Sequence, residues 1–202
     1  MKFIKQYLNQ ANEVEIQGGM TWYQRAHGIA VELSSKYNID IKIVCSVISA
    51  LSPRAVWESN IRDAENLFRC HCNGRKYHNV KVTTYGRNKQ KAIDLLKETI
   101  NPDTCFVAPK TLNFYQNIFN PENKDYITID GHSINIFYGK LGAVENKHFT
   151  KKGYNKIAKA YRIIAEKCGI MPNQLQAITW LTFKRINNIK VNWRYYQQNL
   201  PF

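Results

Sequence analysis

The sequence predicts an all-α fold. Apolar residues recur at the three- and four-residue spacing of an amphipathic helix along most of the chain, and short turn-forming pairs separate these segments. Strand signals are few: residues 80–85 and 126–129 are rich in β-branched or aromatic side chains, but each stretch is short enough to be an extended loop. We therefore expect one helical domain over residues 1–202, with no linker dividing it.

In the first half of the chain, turn-forming pairs bound the periodic segments. Gly18-Gly19 separates the first two segments, Ser52-Pro53 follows the third, and Asn73-Gly74 follows the fourth. The predicted helices are residues 2–13, 21–37, 40–51 and 57–72.

The same punctuation continues in the second half. Asn101-Pro102 and Asn120-Pro121 each follow a periodic segment, and Met171-Pro172 lies between the last two. The predicted helices are residues 87–99, 110–118, 130–141, 153–168 and 172–186.

The charge balance indicates a polyanionic partner. Lys and Arg outnumber Asp and Glu by 29 to 15, a formal net charge of +14, and such an excess is costly in self-repulsion unless a polyanion neutralises it. We expect double-stranded DNA to be the partner. We also expect the chain to be a monomer. An anionic membrane is the competitor, but the chain has no run of about eighteen apolar residues and no separate basic amphipathic helix.

The N-terminus and the cysteines favour an intracellular protein. The first residues lack the apolar stretch and small-residue cleavage site of a secretory signal. Five scattered cysteines argue against a disulfide framework. Cys70 and Cys72, with His71 and His78, form a weak metal motif that lacks the paired spacing of zinc modules, so we expect no metal.

Two segments carry the candidate chemistry. Residues 106–114 lead from an apolar turn into a helix that begins near Lys110, and residues 126–134 place Asp130 near the start of another helix. A carboxylate there can cap the helix, interact with the helix dipole, or take part in catalysis. The residues alone leave these alternatives open.

Several blocks resemble the helix-hairpin-helix DNA glycosylase superfamily. Residues 46–54 and 60–68 resemble its early helix pair, and residues 89–93 resemble its K-A-x-x-I helix. Residues 108–113 (APKTLN) lie where the hairpin and its K-T-A-N are expected, and residues 128–133 (TIDGHS) lie where V-D-T-H-V is expected. The resemblance implies a helical fold that can form two lobes with a cleft, in which a flipped-out base is held.

The resemblance also implies the catalytic residues. Lys110 would be the Schiff-base lysine of a bifunctional glycosylase and AP lyase, and Asp130, twenty residues later, the aspartate that stabilises the sugar. The hairpin glycines are replaced by Val107-Ala108-Pro109, and the iron–sulfur cysteines of some members are absent, so we expect no cofactor.

Eight further side chains are expected to contact DNA or the base. Arg54 would fill the gap left by the flipped base, or else contact phosphate as a loop charge, and His132 would assist Asp130 or contact phosphate, or else lie at the core edge. Aromatic rings, among them Trp180, could stack on the base or be core. The eight are Arg54, Trp57, Asn60, Lys89, Lys91, Thr111, Asn113 and His132.

Two other functions remain open from the sequence. Residues 22–26, 50–57 and 175–180 resemble bacteriophage proteins related to these glycosylases, including thymidine-modifying pyrophosphorylases, which implies hypermodification of phage DNA in the host cytoplasm. A non-catalytic DNA-binding protein on the same scaffold is the third alternative. The basic, aromatic tail at residues 184–196 would extend the DNA surface or pack on the domain.

Overall fold

A computed structural model describes residues 1–190. This part of the chain forms ten α-helices, two short 3-10 helices at Tyr77–Asn79 and Asn146–Phe149, and no β-strand, which confirms the all-α prediction. The α-helices are α1 (Lys2–Asn9), α2 (Glu13–Met20), α3 (Trp22–Tyr37), α4 (Ile41–Leu51), α5 (Trp57–Cys72), α6 (Gly86–Leu96), α7 (Pro109–Phe119), α8 (Gly131–Tyr138), α9 (Lys151–Lys167) and α10 (Pro172–Ile186).

The main difference from the sequence prediction lies at the start of the chain. The predicted helix at 2–13 ends at Asn9, and a separate helix, α2, begins at Glu13. Asn12 and Glu15 form a capping box, because the Asn12 side chain accepts from the Glu15 backbone N–H and the Glu15 carboxylate accepts from the Asn12 N–H, each at 2.9 Å. Gly18-Gly19, predicted as a turn, lies inside this helix.

The two strand-like segments are loops. Ile127 and Ile129 are buried, but the hydroxyl of Tyr154 takes the place of a neighbouring strand. It donates to the Ile127 carbonyl oxygen at 2.7 Å and accepts from the Ile129 N–H at 2.9 Å. One side chain thus supplies backbone hydrogen bonds that a β-ladder would otherwise provide.

The chain divides into two compact units. The first unit combines Met1–Arg25 with the chain from Pro121 onward, and the second unit is Ala26–Asn120. Asp130 belongs to the first unit and Lys110 to the second.

Among residues 1–190, no helix has both the length and the apolar character needed to cross a membrane.

Helix α10 is the centre of the first unit. Helices α1, α2, α8 and α9 pack against it, and its residues from Pro172 to Thr179 are all buried except Gln174. The fully buried Glu15 carboxylate of α2 accepts from Arg185 Nε at 2.6 Å and from Thr182 Oγ1 at 3.1 Å. Because a buried charge is costly unless it is paired, these bonds fix α2 on α10.

Helix α4 is the centre of the second unit. Every residue from Ile43 to Leu51 is buried, and α5, α6 and α7 pack around it. The Ser49 hydroxyl donates to the Thr111 carbonyl oxygen at 2.7 Å, joining α4 to the first turn of α7. The turn that bears Lys110 is therefore held on the core helix of its unit.

Candidate functional site

Asp130 is the N-cap of α8, one of the two structural roles that the sequence allowed. Its Oδ1 accepts from the backbone N–H and from the hydroxyl of Ser133, each at 2.8 Å. An aspartate at this position satisfies one of the free N–H groups of the first helical turn. The side chain is partly exposed.

The second carboxylate oxygen is bonded to another helix. Asp130 Oδ2 accepts from the indole N–H of Trp180 on α10 at 3.1 Å. Capping of α8 does not require this contact. The Ser133 hydroxyl also accepts from Gln176 Nε2 at 3.4 Å, and Gln176 Oε1 accepts from the Tyr23 hydroxyl at 3.0 Å. Donors on two helices thus orient the carboxylate, and a buried polar network supports them.

Three buried tyrosines of the first unit interact electrostatically with this carboxylate. Burial raises the pKa of Tyr23, Tyr154 and Tyr161 above the ordinary tyrosine value, and the negative charge of Asp130 raises each of them further. The three hydroxyls therefore remain protonated and uncharged.

His132 lies among aromatic side chains. Its ring is 5.4 Å from that of Phe183 and 6.2 Å from that of Trp180, centroid to centroid. Lys184 Nζ lies 3.7 Å from the centroid of the Trp180 ring. These contacts fit the core-edge alternative for His132, and its assistance to Asp130 stays a prediction.

Lys110 occupies the first turn of α7. Pro109 begins this helix, Ala108 precedes it without a side-chain cap, and the side chain of Val107 is 92% exposed. Lys110 is partly exposed and forms no ion pair with any described residue. It lies in a different unit from Asp130.

The polar groups beside Lys110 bond within their own helix. Thr111 Oγ1 donates to the Ala108 carbonyl oxygen at 3.1 Å, and Asn113 Nδ2 donates to the Pro109 carbonyl oxygen at 2.7 Å. Both bonds are local to the first turn of α7. Contact of these two side chains with DNA remains a prediction.

Arg54 forms a surface cluster that the sequence analysis did not identify. Its guanidinium carbon lies 5.1 Å from the centroid of the Tyr85 ring, and that of Arg87 lies 5.4 Å from the same centroid. Tyr85 is 43% exposed, and Arg54 has a left-handed backbone φ of 65°. We call Arg54, Tyr85 and Arg87 the arginine–tyrosine cluster. The sequence feature that could have indicated a basic surface here is the stretch 66–93, which has seven Lys and Arg and no Asp or Glu.

The remaining predicted DNA contacts of the second unit differ in exposure. Trp57 is partly exposed, with its ring centroid 6.4 Å from that of Phe114, whereas Asn60 is only 2% exposed. Lys89 is partly exposed. Lys91 Nζ donates to the Cys105 carbonyl oxygen at 2.8 Å. For Lys91 to contact DNA, it would have to give up this internal hydrogen bond. Asn60 is too deeply buried for DNA to contact it unless the residues that cover it move.

A cavity of about 520 Å³ lies beside α6. Its lining includes two cationic side chains and one carboxylate. The lining residues are Arg87, Gln90, Lys91, Asp94, Ile100, Asn101, Thr104 and Cys105.

The residues of the weak metal motif have other partners. Cys70 Sγ donates to the Arg75 carbonyl oxygen at 3.2 Å, and His71 Nδ1 lies 2.6 Å from the Tyr77 hydroxyl oxygen. No group of three or more His, Cys, Asp or Glu side chains in residues 1–190 is arranged to hold a metal. The part of the predicted basic tail beyond residue 190 lies outside the described residues.

The chain is thus an all-helical, strongly basic protein in which Asp130, at a helix N-terminus, accepts hydrogen bonds from two helices. It belongs to DUF7178, a family of unknown function whose model matches residues 1–187. No curated protein and no solved structure matches it significantly.

Proposed function

We propose that this protein binds double-stranded DNA and cleaves the N-glycosidic bond of a base rotated out of the duplex, with Asp130 as the catalytic carboxylate. The observation that carries the proposal is the orientation of this carboxylate by three donor groups on two helices. The helix-hairpin-helix glycosylase resemblance of residues 108–113 and 128–133 supports the same function. The division of the chain into two units is compatible with the two lobes that the resemblance implies.

The chemistry explains why an oriented carboxylate would matter. As the sugar–base bond breaks, positive charge develops on the sugar, and a fixed negative charge beside it stabilises the transition state. Oδ1 of Asp130 accepts two hydrogen bonds at the helix cap, whereas Oδ2 accepts one from Trp180. Oδ2 therefore has acceptor capacity left for the sugar or for an attacking water.

The arginine–tyrosine cluster supports DNA binding. Its two guanidinium groups can contact phosphates, and an exposed ring can stack on a base. The left-handed backbone of Arg54 costs of order 1–3 kcal/mol in a non-glycine residue, and such strain concentrates at functional positions. The seven Lys and Arg of residues 66–93 would add further phosphate contacts.

Exchange of Asp130 for Asn tests the proposed catalysis. Asn is also a good N-cap, so Asp130→Asn is expected to keep the fold and the DNA affinity within about twofold, and to slow base release by about a hundredfold or more. The measurements are thermal unfolding, DNA binding and single-turnover base release. Asp125→Asn, at an exposed position of the same unit, is the matched control and should keep full activity.

Each alternative function gives a different result. Unchanged base release by Asp130→Asn would exclude Asp130 as the catalytic group. Tight DNA binding by the wild type without release of any base would favour a non-catalytic binder. If pyrophosphorylated 5-hydroxymethyluracil DNA incubated with an amine instead releases pyrophosphate and gives an amine-substituted nucleoside, base modification is the function.

The proposal assigns Lys110 to a lyase step. Once deprotonated, its amine would attack C1′ of the sugar while the base leaves with the electrons of the glycosidic bond and takes up a proton. Loss of the remaining amine protons and opening of the sugar ring at the C1′–O4′ bond then give the Schiff base that precedes strand cleavage. Borohydride would then trap a covalent adduct with duplexes carrying uracil, 5-hydroxymethyluracil, an oxidised base or an abasic site.

The trapping experiment has a matched control. Lys110→Gln is expected to abolish the adduct, whereas Lys97→Gln, at an exposed position of the same unit, should retain it. An adduct that survives in Lys110→Gln would place the nucleophile elsewhere. Base release without any adduct would make the enzyme monofunctional.

A further inference from the structure

Helix α9 has a one-sided surface charge. Its buried face, which includes Tyr154, Ile157, Tyr161 and Ile164, packs into the core of the first unit. Apart from one asparagine, its exposed positions from 151 to 159 are all lysine. We call these four residues the lysine face: Lys151, Lys152, Lys156 and Lys159.

The arrangement of these lysines is unfavourable for the isolated helix. Lys152 and Lys156 are four residues apart, and Lys156 and Lys159 are three apart, so like charges are neighbours on the helix surface. Lys151 and Lys152 lie in the first turn, which has no acidic residue, although the positive end of a helix dipole favours negative charge. An ordinary solvated helix face would carry alternating charges. No described carboxylate forms an ion pair with any of the four.

We infer that the lysine face binds the phosphate backbone of duplex DNA, a contact surface additional to the arginine–tyrosine cluster. With a rise of about 1.5 Å per residue, the lysines from 152 to 159 extend over about 10 Å of helix axis. One DNA strand presents a phosphate about every 3.4 Å of its axis, so the lysine face can contact two or three phosphates of one strand. This inference rests on the DNA binding in the proposed function.

Helix α9 is also firmly joined to the segment before Asp130. Gly153 lies so close to the 3-10 helix Asn146–Phe149 that a side chain at this position would collide with the Lys147 carbonyl oxygen. The Tyr154 hydroxyl bonds the backbone of Ile127 and Ile129, directly before Asp130. A phosphate strand bound to the lysine face would therefore be positioned relative to the candidate carboxylate.

A membrane surface fits α9 less well than DNA does. Membrane-surface helices insert an apolar face, whereas the apolar face of α9 is occupied by the protein core. The exposed positions at its N-terminal half carry no apolar side chain. The outward face offers charge alone.

The test replaces three charges of the lysine face at once. For Lys152→Gln/Lys156→Gln/Lys159→Gln, the slope of log K against log salt concentration for duplex binding should be shallower than wild type by about 2–3, since each phosphate contact contributes about 0.9. The matched control, Lys2→Gln/Lys5→Gln/Lys124→Gln, removes three exposed charges from the same unit and should change the slope by less than 1. Circular dichroism should show both variants folded.

The outcomes separate this inference from the proposed catalysis. An unchanged slope in the lysine-face variant, or an equal change in the control, overturns it. Loss of binding to phosphatidylserine vesicles with unchanged DNA binding would overturn it in favour of a membrane. If the wild type releases no base but its slope depends on the lysine face, the proposed catalysis fails and this inference stands.

Discussion

At the scale of single residues, Asp130 has more contacts than helix capping requires. Serine and aspartate commonly combine at a helix start, and Ser133 accounts for both bonds to Oδ1. The bond from Trp180 to Oδ2 comes from a residue fifty positions later. This second bond distinguishes a carboxylate with a fixed orientation from an ordinary cap.

Burial also controls the titration of Cys45. The thiol is fully buried in α4, and burial, with a smaller contribution from the charge of Asp40, raises its pKa from 9.0 to about 12. Between these values the folded state keeps a proton that the unfolded chain loses. The contribution of Cys45 to the free energy of unfolding is therefore complete below about pH 9 and is lost as the pH rises towards 12.

We expect Cys45→Ala to have a flatter decrease of the unfolding free energy than the wild type between pH 9 and 11. The measurement is urea unfolding at a series of pH values. Cys72→Ala, at an exposed cysteine, should follow the wild-type profile. Parallel profiles for Cys45→Ala and the wild type would show that the thiol titrates normally.

At the scale of the elements, α2 and α10 approach each other at Gly19. A Cβ atom at Gly19 would lie 2.5 Å from the backbone nitrogen of Ile178 and 2.5 Å from its Cγ1 atom. Backbone atoms cannot move aside cheaply, so only glycine permits this packing. Gly19, which the sequence suggested as part of a turn, instead lies at a helix contact.

Gly19→Ala is therefore expected to lower the free energy of unfolding by about 1–3 kcal/mol. Gly28→Ala is the matched control, because Gly28 is also helical and a Cβ atom there meets no other atom within 4 Å. This control should raise the free energy of unfolding by about 0.5–1 kcal/mol, since alanine favours a helix. Chemical unfolding measures both, and a neutral Gly19→Ala would contradict the packing.

At the scale of the whole molecule, positive charge is present in both units. The second unit has 13 Lys and Arg against 8 Asp and Glu, and the first has 16 against 7. The larger excess belongs to the first unit, where the lysine face lies. Both units therefore have an excess of positive charge, which is consistent with the proposed binding of DNA.

Local sequence was sufficient to predict most helices. Helix periodicity and the turn-forming pairs act over a few residues, and the predicted segments at 21–37, 40–51 and 57–72 lie within one residue of the helices observed. The missed helix, α2, had its own local signal in the Asn12–Glu15 capping box. Periodicity failed there because two glycines and a short length weakened the pattern.

The sequence by itself determined the all-helical class, the excess of positive charge and the position of Asp130 at a helix start. Each depends on composition or on neighbours within one helical turn. The tertiary structure alone decided that Trp180 bonds Asp130 and that Arg54 and Arg87 share the Tyr85 ring. It also decided which lysines of α9 are exposed. These features join residues far apart in the chain or depend on which face the core buries, and only packing of the whole unit fixes them.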